Sequence, residues 1–234
     1  FNEETALKVL SEKGRAKIIT ATNVFAHVAD LDGFVKGVYS LLDKDGVFII
    51  ETPYVVNLLE NNEFDTIYHE HLRYYSVKSL FTLFERYMME IIDIQKVSIH
   101  GGSIRVFVKK KESELPVSDS VNEFVNLERE LKIDSLETYL KFSRNVENIK
   151  TELLALLKKL KSEGKRIVGY GAAAKGNTLL NYCKIGTDIL DYIVDKNKYK
   201  QGLFTPGMHI PVVLPEEILE DKPDYVLILA WNFA

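Results

Sequence analysis

The chain has 234 residues, 46% of them hydrophobic, enough for one large domain or two modest ones with a core each. Its net charge is −4, and its lysines and arginines are scattered apart from a short run at 109–111, which argues against nucleic-acid and anionic-membrane partners. The single cysteine, Cys183, rules out an intrachain disulfide and points to a reducing, cytoplasmic setting, and no apolar run has the length of a membrane span. The chain opens on Phe1 with no leader-like stretch and is expected to be a piece of a longer protein.

The first third alternates helix and strand. Residues 3–13 read as a helix with Ala6, Leu7, Val9 and Leu10 on its apolar face, and 16–21 (AKIITA) as a buried strand. Asp30 is placed to cap a helix over 31–42, which the turn residues 43–46 should end before a second strand at 47–51 (VFIIE). Strand, helix, strand implies a parallel pair, and ligands of such sheets sit at the carboxyl ends of strands. His27 lies just beyond the first of those ends.

Residues 67–76 read IYHEHLRYYS, with three tyrosines, two histidines, a glutamate and an arginine in ten positions. No other stretch is so dense in proton-handling groups. An imidazole accepts a proton near neutral pH, and a neighbouring carboxylate can fix its tautomer, as a general base requires. Equally, the stretch is a surface loop ahead of a helix over 77–87 that Ser76 would cap. A metal site at His69, Glu70 and His71 is also conceivable, since alternate residues of an extended segment share a face and both histidines could reach one ion, but no further cluster completes a ligand set, so no metal is expected.

Residues 90–99 and 103–110 read as an antiparallel hairpin turning at His100-Gly101-Gly102. The polar stretch 112–120 reads as a linker, and 121–164 as strongly helical, with one long helix over 135–163. A second α/β unit follows. Strand 166–171 (RIVGYG) enters a helix over 174–183 through a G-x-G-x-x-A turn, and the strand 191–195 (DYIVD) ends in an acid. That is the dinucleotide-binding arrangement, which an unliganded Rossmann-like turn would also show. A last strand is predicted over 225–231 (YVLILAW).

The segments IYHEHLRYYS, HGGSIRVFV, VGYGAAAKGNTLLNYC, YIVDKNKYKQGLFTPGMHIPV and DYVLILAWNFA together resemble the S-adenosylmethionine-dependent sugar C-methyltransferases, which act on nucleotide-linked 4-keto-deoxysugars. The resemblance implies an α/β protein: a partial Rossmann-like methyltransferase domain with a terminal antiparallel hairpin (1–111), a helical connector (112–163) and a second Rossmann-like domain (164–234). It also implies that the family's zinc module and the cofactor's glycine-rich turn lie outside this chain. The zinc would belong to that module. The fragment alone would then be inactive and prone to self-association through its exposed sheet edge.

The resemblance further implies proton abstraction next to the ketone and methyl transfer to the enolate. His71 would be the base, with Glu70 assisting, and Tyr68 and His27 would lie near the sugar. Asn23 and Phe25 would border S-adenosylmethionine, and Gly171, Lys175 and Asn177 would hold the nucleotide diphosphate. Two other readings of the residues stay open. One is a nucleotide-sugar binding module without catalysis. The other is an NAD-dependent oxidoreductase using the turn at 169–174.

Overall fold

The computed structural model describes residues 1–98 and 101–233. The chain divides into two compact units, residues 1–61 with 69–139, and residues 62–68 with 140–234.

In the first unit, α1 (Glu3–Lys13) starts where Asn2 accepts from the Thr5 amide, and β1 (Ala16–Thr22) follows. Asp30 caps α2 (Leu31–Leu41) through the Gly33 amide at 2.9 Å, as its sequence position predicts. The predicted turn at 43–46 does not separate helix from strand. Instead β2 (Leu42–Pro53) begins directly after α2. Its parallel pairing with β1 jumps from Ala16↔Leu42 to Ile18↔Val47, so 43–46 bulge out of a continuous strand. Gly46 is required there, since a Cβ would stand 2.9 Å from the Ala16 carbonyl oxygen.

A short helix α3 (Val55–Glu60) precedes the histidine-rich stretch, and α4 (Val77–Glu85) follows it. Ser76 and Ser79 cap α4 reciprocally, each side chain accepting from the other's amide. Strands β3 (Met89–Val97) and β4 (Ser103–Lys110) pair antiparallel, and β4 pairs antiparallel with β2. The sheet order is β1-β2-β4-β3. His100 of the predicted turn and Ile99, the end of the predicted first strand, lie outside the described residues. Phe25, Val35, Phe48, Ile50, Leu80, Phe84 and Val106 fill the core between sheet and helices.

The helical stretch breaks once. Helix α5 (Ser120–Glu130) ends before Lys132, which takes a left-handed φ of 50°, and α6 runs Leu136–Ser162. Its 27 residues make a rod of roughly 40 Å.

The second unit holds an all-parallel sheet. Strand β5 (Ile167–Tyr170) feeds α7 (Ala174–Cys183), then come β6 (Ile193–Val194), β7 (Val212–Val213), α8 (Glu217–Asp221) and β8 (Tyr225–Ile228). The order is β7-β6-β5-β8, so the glycine-turn strand is central. The strands are shorter than their apolar runs predict. Strand β8 stops at Ile228, and a 3-10 turn follows at Trp231–Phe233. The core gathers Ile167, Leu180, Cys183, Leu190 and Ile193.

Candidate functional site

In the first unit the chain leaves β1 through Asn23, whose left-handed backbone (φ 54°) donates its amide to the Glu51 carbonyl at the end of β2. A 3-10 turn at Phe25–His27 follows. The Phe25 ring is fully buried and packs against Phe34, Phe48, Tyr75 and Phe84. It therefore presents only backbone to a ligand, whereas the Asn23 side chain is half-buried at the strand end.

The segment after His69 is laid along this turn by four hydrogen bonds. The Leu72 amide donates to the Ala26 carbonyl at 3.0 Å, and the Tyr75 hydroxyl to the Phe25 carbonyl at 3.1 Å. The Arg73 guanidinium donates to the carbonyls of Val28 and Ala29. These bonds bring two residues 44 positions apart together: the His27 and His71 rings meet edge-to-face with centroids 5.0 Å apart. The Tyr74 ring centroid stands 6.1 Å from that of His71, edge to face. His27 is exposed and His71 half-buried, so the pair opens to solvent at the carboxyl end of β1.

The Glu70 carboxylate lies 3.9 Å from Nε2 of His69, and both side chains are largely exposed. Tyr68 is half-buried and belongs to the second unit. Among the described residues, no group of three His, Cys, Asp or Glu side chains could hold a metal ion, and no helix is long and apolar enough to cross a membrane.

A buried carboxylate that sequence reasoning missed stands under this segment. Glu128 of α5 accepts from the Tyr54 hydroxyl at 3.0 Å and from the amides of Val77 and Lys78, the first residues of α4. Burial and the Glu128 charge push the Tyr54 hydroxyl well above its usual pKa. Nothing local marks Glu128, because its partners lie some 50 and 74 positions away.

In the second unit, Gly171 turns the chain out of β5 with φ 89°, and a Cβ there would stand 2.8 Å from the Ala230 side chain. The acid that closes the predicted fingerprint, Asp195, serves this turn. Its carboxylate accepts from the Ala172 amide at 2.8 Å and from the Asn197 amide at 2.8 Å. Lys200 clamps the same place, donating to the Ala172 carbonyl at 2.7 Å. Gly171 and Asn177 line one cavity beside the turn, while Lys175 points elsewhere. Its ammonium lies 4.6 Å from the centroid of the Trp231 ring, and the Trp231 indole donates to Asp65 at 2.6 Å. Burial pushes the Lys175 pKa down and the Asp65 pKa up. Among the described residues the Lys175 ammonium is enclosed and makes no hydrogen bond.

Comparison with known proteins gives the family. A profile described as the C-methyltransferase C-terminal domain matches residues 98–234, and one described as a methyltransferase domain matches residues 1–93. A curated relative, C-methyltransferase NovU of Streptomyces niveus, is 38% identical over 234 residues, covering all of this chain and 56% of the relative. The chain thus spans about half the length of the curated relative it matches. Among solved structures, a SAM-dependent methyltransferase from Anabaena variabilis matches 47% of this chain and 55% of its own, at 14% identity and a TM-score of 0.35, too loosely to carry an argument. On the profile that covers more than half of its length, this chain belongs to the C-methyltransferase family.

Proposed function

We propose that the chain belongs to an S-adenosylmethionine-dependent enzyme that methylates a carbon next to the ketone of a nucleotide-linked keto-deoxysugar. Family membership supports the reaction class, and the relative's name supports transfer to carbon. The single observation that carries the chemistry is the His27–His71 pair, two imidazoles meeting at the carboxyl end of β1.

In this reading His71 removes the proton from the carbon beside the keto group. His27, 5.0 Å away ring to ring, relays that proton or holds the sugar. Tyr74 packs edge to face against the His71 ring and helps hold its orientation. Bound S-adenosylmethionine would supply an electrophilic methyl group on a sulfonium. Of the residues assigned to it, Asn23 fits as an amide at the strand end, whereas Phe25 offers backbone alone because its ring is enclosed. Glu70 is exposed beside His69 and assists from the rim, and Tyr68 contacts the sugar. Gly171, Lys175 and Asn177 hold the nucleotide part of the substrate. Residues 1–111 are assigned to methyl transfer, 112–163 to the connector and 164–234 to the second Rossmann-like domain.

The NAD-dependent alternative has less support, because the acid it needs for a ribose is turned onto its own glycine turn, where it accepts from the Ala172 amide. With Asn23 as the one side chain of this set available to the cofactor, the 234 residues alone are expected to transfer no methyl. The edge strand β1 is expected to promote self-association, which light scattering would detect.

The test is His71→Asn in the full-length enzyme. A general base contributes roughly 10² to 10⁴ in rate, so turnover should fall by that factor while S-adenosylmethionine binds as before. Turnover within a few-fold of wild type would remove His71 from the role.

A further inference from the structure

The imidazoles of His27 and His71 hang from separate stretches of backbone, so the angle at which they meet depends on what fixes one stretch against the other. A single hydrogen bond would act as a pivot. Here there are anchors on both sides of His27. Before it, the Leu72 amide donates to the Ala26 carbonyl at 3.0 Å, and the Tyr75 hydroxyl donates to the Phe25 carbonyl at 3.1 Å. After it, Arg73 donates from Nη1 to the Val28 carbonyl and from Nη2 to the Ala29 carbonyl, the second at 3.1 Å. All of these donors stand in the first residues after His71, and Arg73 supplies the anchors on the far side of His27.

Satisfying those carbonyls is not reason enough for an arginine. Ala29 is exposed, so water would serve its carbonyl as well. Nor is a positive charge the requirement. A lysine ammonium is a compact point donor on a flexible stem and would hold one carbonyl at a time. The guanidinium is flat, with its N–H donors in a fixed fork, and its two terminal nitrogens hold two consecutive carbonyls. Two bonds from one rigid plane fix a direction as well as a distance.

We propose that Arg73 is a positioning residue of the methyl-transfer site, its fork setting the angle and distance at which the His27 and His71 imidazoles face a substrate. The proposal rests on the reading of His71 as the base and adds the residue that aims it. Arg73 acts through the two histidines and touches no reacting atom. A proton acceptor displaced by about 1 Å can cost as much as 10² in rate, so releasing the fork shows in the chemical step and not in binding.

A double-mutant cycle in the full-length enzyme tests it. Arg73→Lys should lower kcat by roughly 10 to 10², while KM and S-adenosylmethionine affinity stay within about threefold of wild type. In a His71→Asn background the same substitution should change kcat by less than about twofold, because no base is left to aim. Arg73→Ala removes the fork outright, and millimolar guanidinium should restore part of its kcat, whereas methylammonium at the same ionic strength should not. Lost folding would lower the amount of active enzyme and would not give that rescue. The proposal is overturned if Arg73→Lys keeps kcat, if it costs as much without His71 as with it, if it raises KM alone, which would put the guanidinium on the substrate, or if guanidinium restores nothing. The base reading fails separately, when His71→Asn itself keeps turnover. Arg73 is then judged without turnover, by the rate at which diethyl pyrocarbonate modifies His71 relative to His69, whose side chain is largely exposed. A fork that holds the segment keeps His71 the slower of the two in the wild type and lets it approach His69 in Arg73→Lys, and an unchanged ratio overturns the clamp.

Discussion

Glu128→Ala should destabilise the first unit severely, although the residue lies far in sequence from the histidines. Its carboxylate answers two buried donors, the Tyr54 hydroxyl and the Val77 amide, and one part-buried donor, the Lys78 amide. Removing an acceptor leaves each buried donor unsatisfied at a cost of about 1 to 3 kcal/mol, with less for the part-buried one. The sum is about 3 to 5 kcal/mol. With a urea dependence near 2 kcal/mol per molar, the unfolding midpoint of this unit should fall by about 1.5 to 2.5 M. The lost amide partners are the first residues of α4, so amide hydrogen exchange should rise there before the β2–β4 ladder opens. Glu128→Gln should lie between, because its one remaining oxygen cannot serve three donors and its amide group faces N–H groups. A midpoint shift below about 0.5 M for Glu128→Ala would show that these bonds are not what holds the start of α4.

Lys175→Met should weaken binding of a nucleoside diphosphate about tenfold and flatten its salt dependence, because the ammonium has donors to spend. The same variant should keep its melting temperature, and unchanged affinity would assign Lys175 to the Trp231 contact alone. Asp65 is raised by burial, so its proton is held more tightly folded than unfolded. Its contribution to stability is therefore full below the unfolded carboxylate pKa and is lost as pH rises through the folded value. Asp65→Asn should gain stability relative to wild type on going from about pH 4 to pH 7, and denaturant melts showing a constant difference would refute this. Gly46→Ala should cost about 1 to 3 kcal/mol by forcing a Cβ against the Ala16 carbonyl, and a smaller loss in a thermal melt would mean the bulge can relax.

What the amino-acid order made legible was local. Asp30 and Ser76 cap the helices they precede because capping needs a partner only three residues on. Helix α7 runs over the span predicted for the helix after the glycine turn. The bulge at 43–46 was not legible, since the same Asp-Lys-Asp-Gly residues suit a chain reversal, and only pairing with Ala16 keeps them in a strand. The fingerprint acid was legible as a carboxylate at a strand end, but its partner was not: Asp195 folds back onto the glycine turn and accepts from the Ala172 amide. His27 could be placed at a strand end from sequence, but its meeting with His71 could not, because it depends on carbonyls that Arg73 and Tyr75 find in the preceding turn. Glu128 and the Trp231–Asp65 contact left no trace, their partners being as much as 166 positions apart.

Trp231 is the only tryptophan in the chain, and it sits at the corner where Lys175 and Asp65 meet. All of the indole fluorescence therefore comes from one ring, with an ammonium on its face and a carboxylate on its N–H. Drawing the ammonium away toward an anion, or protonating the carboxylate, changes the field across that ring, and with it the colour and yield of the emission. The protein thus carries its own optical reporter for this corner, readable without a label at micromolar concentration, with Trp231→Phe as the dark control.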